Sequence, residues 1–231
     1  SVAASSSSGS FDTLGALGLA IDLDGKQVER CVKDAGLGFA FAKNFHPAMR
    51  FVGPVRSELG VPTTFNFLGP LSHPGGVKRQ VVGVSGPTMA PRVAGVLAAR
   101  GSEHALVVHG GDRLDEITTT DLTRIYEVRD GEVVGDTEFD PESIGIPRVT
   151  RSQIQGGTPE DNATIMRNLF EGADKGPRAD IVALNAAAGL LVAGLVEDFA
   201  SGVEAAKDVM SNGGAAKKLT EVIDMSNELA N

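Results

Sequence analysis

The stretch that most constrains this chain is residues 105–120, ALVVHGGDRLDEITTT. Ala105-Leu106-Val107-Val108 has the length and β-branched content of a buried strand. His109-Gly110-Gly111 is expected to break that run, because paired glycines permit a tight turn and close backbone approach. Beyond it stand Asp112, Asp115 and Glu116, then Thr118, Thr119 and Thr120. Acids just past the C-terminal end of a buried strand sit where open α/β sheets bind their ligands. Hard oxygen ligands beside hydroxyls suit Mg²⁺, which takes one or two carboxylates and leaves the rest to water and phosphate oxygens. The same spacing also describes solvated loop charges.

The flanks of this stretch set the fold class. Residues 80–84 form a short strand, and Pro87-Thr88 leads into a helix over 90–100. A strand, a helix and the strand at 105 make a right-handed parallel crossover. Downstream, 124–128 and 132–134 flank Asp130-Gly131, a strong hairpin signal. The expected class is therefore α/β, with a mixed, mostly parallel sheet flanked by helices and an antiparallel extension.

Other helices are read from caps and periodicity. Asp24 or Gly25 starts one that places Val28, Cys31, Val32 and Ala35 on an apolar stripe, and Gly36 stops it. The single cysteine, Cys31, is a core filler on that stripe and excludes an intramolecular disulfide. Asn44-Phe45-His46-Pro47 opens another helix, with Met49, Val52, Val55 and Leu59 inward and Gly60 closing it. Thr158-Pro159-Glu160-Asp161 begins a helix that runs to Gly172. Residues 178–195 are nearly apolar all round, so that helix should be buried on most sides. Asn185 and its small neighbours make it a poor membrane span. Helices over 201–211 and 215–229 are separated by Asn212-Gly213-Gly214.

Charge and composition narrow the partners. The 231 residues carry a formal charge of −9, which argues against a nucleic-acid surface. The first ten residues, SVAASSSSGS, allow a linker or a phosphate-binding loop opening a helix that carries Phe11, Leu14 and Leu17. There is no initiator Met and no secretory signal pattern. A start at a processing site or partway through a longer protein is expected, as is a cytoplasmic location.

Several blocks in a fixed order carry a resemblance. They are Asn44-Phe45-His46-Pro47-Ala48-Met49-Arg50, Val55-Arg56 with Glu58-Leu59-Gly60, and Phe65-Asn66 with Leu68-Gly69-Pro70-Leu71. Val107-Val108-His109-Gly110, Leu114-Asp115-Glu116, Gly156-Gly157 and Leu184-Asn185-Ala186-Ala187 follow. With these blocks the chain resembles the C-terminal portion of the anthranilate phosphoribosyltransferase family. The resemblance implies Mg²⁺-dependent transfer of phosphoribose from phosphoribosyl diphosphate to the anthranilate amine, in tryptophan biosynthesis. It also implies a homodimer when complete, with neither nucleic acid nor membrane as partner.

By the same resemblance residues 1–22 form a phosphate loop and helix of the α/β domain. Residues 23–60 go to a helical lobe, and 61–231 form the rest of the α/β glycosyltransferase domain. Asp115 and Glu116 match the family's metal-binding pair, and Arg56 its anthranilate-contacting arginine. His46 is implied to line the anthranilate entry, and Ser5 and Ser6 to contact diphosphate, which favours the loop reading of the N-terminus. No acid–base residue is required, since an aromatic amine attacks a carbon bearing an excellent leaving group.

Departures from the family pattern are Arg113 in place of a usual glycine, Pro62 for an arginine, His73 for an asparagine, and Ser1-Val2 for an Asn-Arg pair. The family's earlier phosphate loops are not in the chain, so the chain alone is expected to be inactive. Two other readings compete: a pyrimidine-nucleoside phosphorylase relative, and a non-catalytic remnant that binds a ligand or partner.

Overall fold

The computed structural model describes residues 9–47, 51, 58, 69 and 71–231. In chain order the elements are α1 (Ser10–Ala16), α2 (Gly25–Ala35), α3 (Ala42–Phe45), β1 (Arg79–Gly83), α4 (Ala90–Ala99) and β2 (His104–Gly110). They continue with β3 (Thr123–Arg129), β4 (Glu132–Phe139), a 3₁₀ turn (Pro141–Ile144), α5 (Arg151–Ile154), α6 (Pro159–Phe170), α7 (Pro177–Ala193), α8 (Phe199–Ser211) and α9 (Gly214–Ala230). The chain divides into two compact units. One comprises Ser1–Thr63, Gly156–Asp174 and Val209–Asn231, the other Thr64–Gln155 and Lys175–Asp208.

The second unit is built on a sheet of order β1-β2-β3-β4. The β1–β2 pair is parallel and joined through α4, as the crossover requires, while β2–β3 and β3–β4 are antiparallel. The α/β class with a mixed sheet is as expected. Among the described residues the antiparallel extension is its larger part, because β4 runs on to Phe139 rather than stopping at Val134. Asp130 at φ 49° and Gly131 at φ 82° form the hairpin turn, the left-handed pair that a two-residue connection needs. Every residue of β2 is buried. Ala105 and Val107 pack with Val93, Ala94 and Leu97 of α4; Leu106 and Val108, which alternate to the other face, are buried as well. Helix α7 packs on β1 and β2.

Two expectations about this unit need correction. The run at 105 does not break at His109: β2 continues through His109 and Gly110, which pair with Arg124 and Thr123. Nor is α7 buried on most sides. Ala183, Leu184, Ala187 and Ala188 are fully buried, but Val182, Ala186, Gly189 and Ala193 form an exposed strip. An apolar sequence thus records two packed faces here rather than four.

In the first unit, α1 and α9 pack on α6, and α2 packs on α9. Helix α2 begins and ends where its caps dictate. Asp24 accepts from the Lys26 and Gln27 amides, and Gly36 closes the helix at φ 76°. Cys31 and Ala35 are buried, but Val32 is 51% exposed, since it lies one residue off the line that the i, i+4 pair defines. Helix α6 starts at the expected cap, Thr158, which accepts from the Asp161 amide and closes a capping box with it. Asn44 and Phe45, expected to open a helix, instead end α3, and His46 caps it; the rest of that expected helix, through Gly60, lies, apart from isolated residues, outside the described residues. No described helix is long and apolar enough to cross a membrane.

Candidate functional site

The loop between β2 and β3 carries the acids, and its shape begins with a tight turn. The Arg113 amide donates to Gly110 O at 2.8 Å and the Gly110 amide to Leu114 O at 2.9 Å. That pattern is a turn closed by a bulge whose last residue must be left-handed. Arg113 holds that position at φ 70°. The departure from a usual glycine therefore falls where backbone geometry favours glycine.

Asp112 is the loop's internal anchor. Its Oδ1 accepts from the Leu114 amide at 3.2 Å, and its Oδ2 accepts from the Thr118 and Thr120 hydroxyls at 3.0 and 2.5 Å. The Thr118 amide donates to Thr123 Oγ1 at 3.0 Å, tying the loop to the first residue of β3. Thr118, Thr119 and Thr123 are fully buried. These hydroxyls were expected beside a metal; those of Thr118 and Thr120 are instead committed to Asp112. A carboxylate inside the turn offers them a stronger acceptor than water does.

Asp115 and Glu116 are left as the outward-facing acids, both exposed. Desolvation around the Glu116 carboxyl, then the charges of Asp115 and Asp112, raise its pKa above the ordinary 4.5. Among the described residues no group of three or more His, Cys, Asp or Glu side chains is arranged to hold a metal alone. Two mutually repelling carboxylates fit the other arrangement, in which Mg²⁺ takes its remaining ligands from water and phosphate.

Two residues outside the loop fix the pair, and neither was singled out as a site residue from sequence. Gly83, the last residue of β1, lies so close that a Cβ there would overlap the Asp115 carbonyl. Asn185, in the middle of α7, accepts from the Ile117 amide at 2.9 Å and donates to the Ile117 carbonyl at 2.8 Å. The sequence signal for Asn185 was its polarity inside an otherwise apolar helix.

His46 is half-buried in the first unit, where its amide donates to Ala42 O at the end of α3. Arg56, Ser5 and Ser6 lie outside the described residues, as does Pro62. His73 accepts at Nδ1 from the Gly75 amide.

Residues 2–216 match the profile of the glycosyl transferase family, a/b domain, and the chain belongs to that family. Within it, the chain is 48% identical over 230 residues to the anthranilate phosphoribosyltransferase of Thermomicrobium roseum, covering 99% of this chain and 66% of that protein. It is 43% identical to the enzyme of the same name from Chloroflexus aggregans, covering 97% and 66%. The chain thus spans about 66% of the length of these curated relatives. Among solved structures, anthranilate phosphoribosyltransferase from Thermus thermophilus superposes with a TM-score of 0.90 at 40% identity, over 98% of this chain and 67% of that one. The Saccharomyces cerevisiae enzyme in complex with PRPP and Mg gives 0.86 at 27% identity, over 95% and 63%.

Proposed function

We propose that this chain works, within a full-length enzyme, in the Mg²⁺-dependent transfer of phosphoribose from phosphoribosyl diphosphate to the amine of anthranilate. The observation that carries this reading is the Asp115–Glu116 pair, held outward at the end of β2 by Asp112, Gly83 and Asn185. Likeness to a relative solved with PRPP and Mg supports it. Asp115 and Glu116 would hold Mg²⁺ against the diphosphate. The bound ion supplies charge neutralisation as the leaving group departs.

The chain's own contribution is positioning. The loop presents two carboxylates side by side, and the proton that the amine loses as it attacks leaves with the departing diphosphate or to water, so no side chain need carry it. In the same reading Arg56 pairs with the anthranilate carboxylate. His46 lines its entry, and Ser5 and Ser6 contact diphosphate. Residues 23–60 belong to a helical lobe, and 1–22 and 61–231 to the α/β domain. The complete enzyme is a cytoplasmic homodimer.

The deciding experiment replaces Asp115 by Asn and Glu116 by Gln in the full-length protein. Turnover of anthranilate is then followed against Mg²⁺ concentration. The rate should fall by on the order of a hundredfold, as when a preorganised transition-state contact is lost. An unchanged rate and metal dependence would remove the pair from the site. Phosphorolysis of thymidine or uridine in place of anthranilate turnover would move the chain to the nucleoside phosphorylases.

A further inference from the structure

Asn185 is an amide in a helix that otherwise reads Ile181, Ala183, Leu184, Ala186, Ala187, Ala188. A polar side chain in such a setting costs stability unless its hydrogen bonds are made. Here they are all turned to backbone. Oδ1 accepts the Ile117 amide, while Nδ2 donates to the Ile117 carbonyl at 2.8 Å and to Ile181 O of its own helix at 2.9 Å. Ile117 is fully buried and follows Glu116 directly. The peptide groups on both sides of Ile117 are therefore tied to one side chain of α7. Gly83 receives the Asp115 carbonyl from the sheet side. The two acids thus sit between a helix clamp and a strand stop, both within the second unit.

We infer that Asn185 is a positioning residue for the metal-binding carboxylates: its two-way amide contact with Ile117 sets the orientation in which Asp115 and Glu116 meet the divalent cation. The inference rests on the proposed metal role of that pair. Ordinary core packing would be served by leucine, which fits an apolar helix without needing partners. An amide that reaches out to both peptide groups of one loop residue fixes an angle as well as a distance. Partners that orient a metal's ligands matter nearly as much as the ligands themselves.

The test uses the full-length protein and two readouts: Mn²⁺ affinity by electron paramagnetic resonance with phosphoribosyl diphosphate present, and thermal midpoint. Asn185→Leu removes both contacts. Asn185→Asp keeps the acceptor for the Ile117 amide, loses the donor, and adds negative charge beside the site. Ala183→Gly loosens the same helix and leaves both hydrogen bonds to Ile117 in place. Both Asn185 variants should weaken Mn²⁺ binding about 10- to 100-fold, while Ala183→Gly lowers only the midpoint.

The Asp variant keeps the test decisive if the Leu variant fails to fold. Attraction by charge alone predicts tighter binding there, and the clamp predicts weaker. Tighter or unchanged binding in Asn185→Asp, with the Asp115→Asn/Glu116→Gln protein losing Mn²⁺, overturns the clamp and leaves the metal site standing. Unchanged Mn²⁺ binding in the acid-pair variant overturns the site reading, and the clamp with it.

Discussion

Strands β2 and β3 are joined at one end by the acid-bearing loop, and β3 and β4 at the other by the Asp130-Gly131 turn; the two connections are held in opposite ways. The turn is held by main-chain groups, its own and those just before β2. Both central residues are left-handed, and the Asp130 and Gly131 amides donate to Glu103 O and Ser102 O. The loop adds side chains to its own main-chain turn, some of them distant in sequence: Asp112 from within, Thr123 from β3 and Asn185 from α7, with the missing side chain of Gly83 leaving room for it. A short turn needs the right dihedrals and acceptors for its two amides. A loop that must present two like charges needs partners that hold its backbone in place against their repulsion.

Gly83→Ala should break the loop most. The new Cβ overlaps the Asp115 carbonyl, which is backbone and cannot rotate aside. The loop must move or β1 must shift, at a cost of about 3 kcal/mol in line with overpacked cores. Metal-dependent turnover should be lost along with this stability. Denaturant unfolding and a Mg²⁺ titration check both. A fully active Gly83→Ala protein would show that the loop tolerates displacement and that its many contacts are not there to fix the acids.

Asp112→Ala comes next. It strips an acceptor from the Leu114 amide and from the hydroxyls of Thr118 and Thr120, the former fully buried. Charge-assisted bonds to buried groups make a loss of roughly 2 kcal/mol the expected outcome. Chemical denaturation should show it, with hydrogen exchange rising first at 112–120. A change confined to the solvent face of the loop would mean that Asp112 is dispensable to its shape.

Gly131→Ala tests the other connection. At φ 82° a side chain is strained, so about 1 kcal/mol of stability should be lost. Mg²⁺ dependence should stay as in the parent. Should the hairpin variant also alter metal use, the two ends of β3 would be coupled and the contrast between them would fail.

This contrast also explains what could be read from the residues. Asp24 with Gly36, Thr158 with Asp161, and Asp130-Gly131 each act within a few positions, so cap and turn chemistry located them. The acid pair was legible because its neighbours in sequence, an apolar run and two glycines, mark the end of a strand. The length of β2 was not, because His109 and Gly110 stay in the sheet through their pairing with β3. The partner of Ile117 is 68 residues away, and nothing local in either stretch points to the other. The threonines were misjudged for the same reason: their proximity to acids was plain, but which acid would accept from them depends on a folded turn. Arg113 shows the reverse case, in which a departure noted in sequence acquires its meaning only once its φ is known.

The smallest expected effect concerns the sign of the loop's charge. The folded-state pKa of Glu116 is raised by desolvation and by Asp115 and Asp112. Its ionised form is therefore disfavoured in the native state. The folded protein holds this proton more tightly than the unfolded chain, so stability falls as pH rises from the ordinary value of 4.5 through the raised one. Glu116→Gln, studied with a chelator present, should be more stable than the parent at neutral pH. That advantage should shrink as pH drops below the raised value and vanish beneath the ordinary one. Asp140, whose pKa is lowered by the Arg148 guanidinium and the Glu142 amide, should behave oppositely. Its favourable contribution is present at neutral pH and fades as pH falls through its lowered value, so Asp140→Asn should lose stability where Glu116→Gln gains it. Thermal midpoints of both variants between pH 3 and 7 would register the crossing. Were Glu116→Gln to destabilise the chelated protein at neutral pH, the loop would be using that carboxylate as a structural acceptor, and the repulsion said to call for its clamps would be absent.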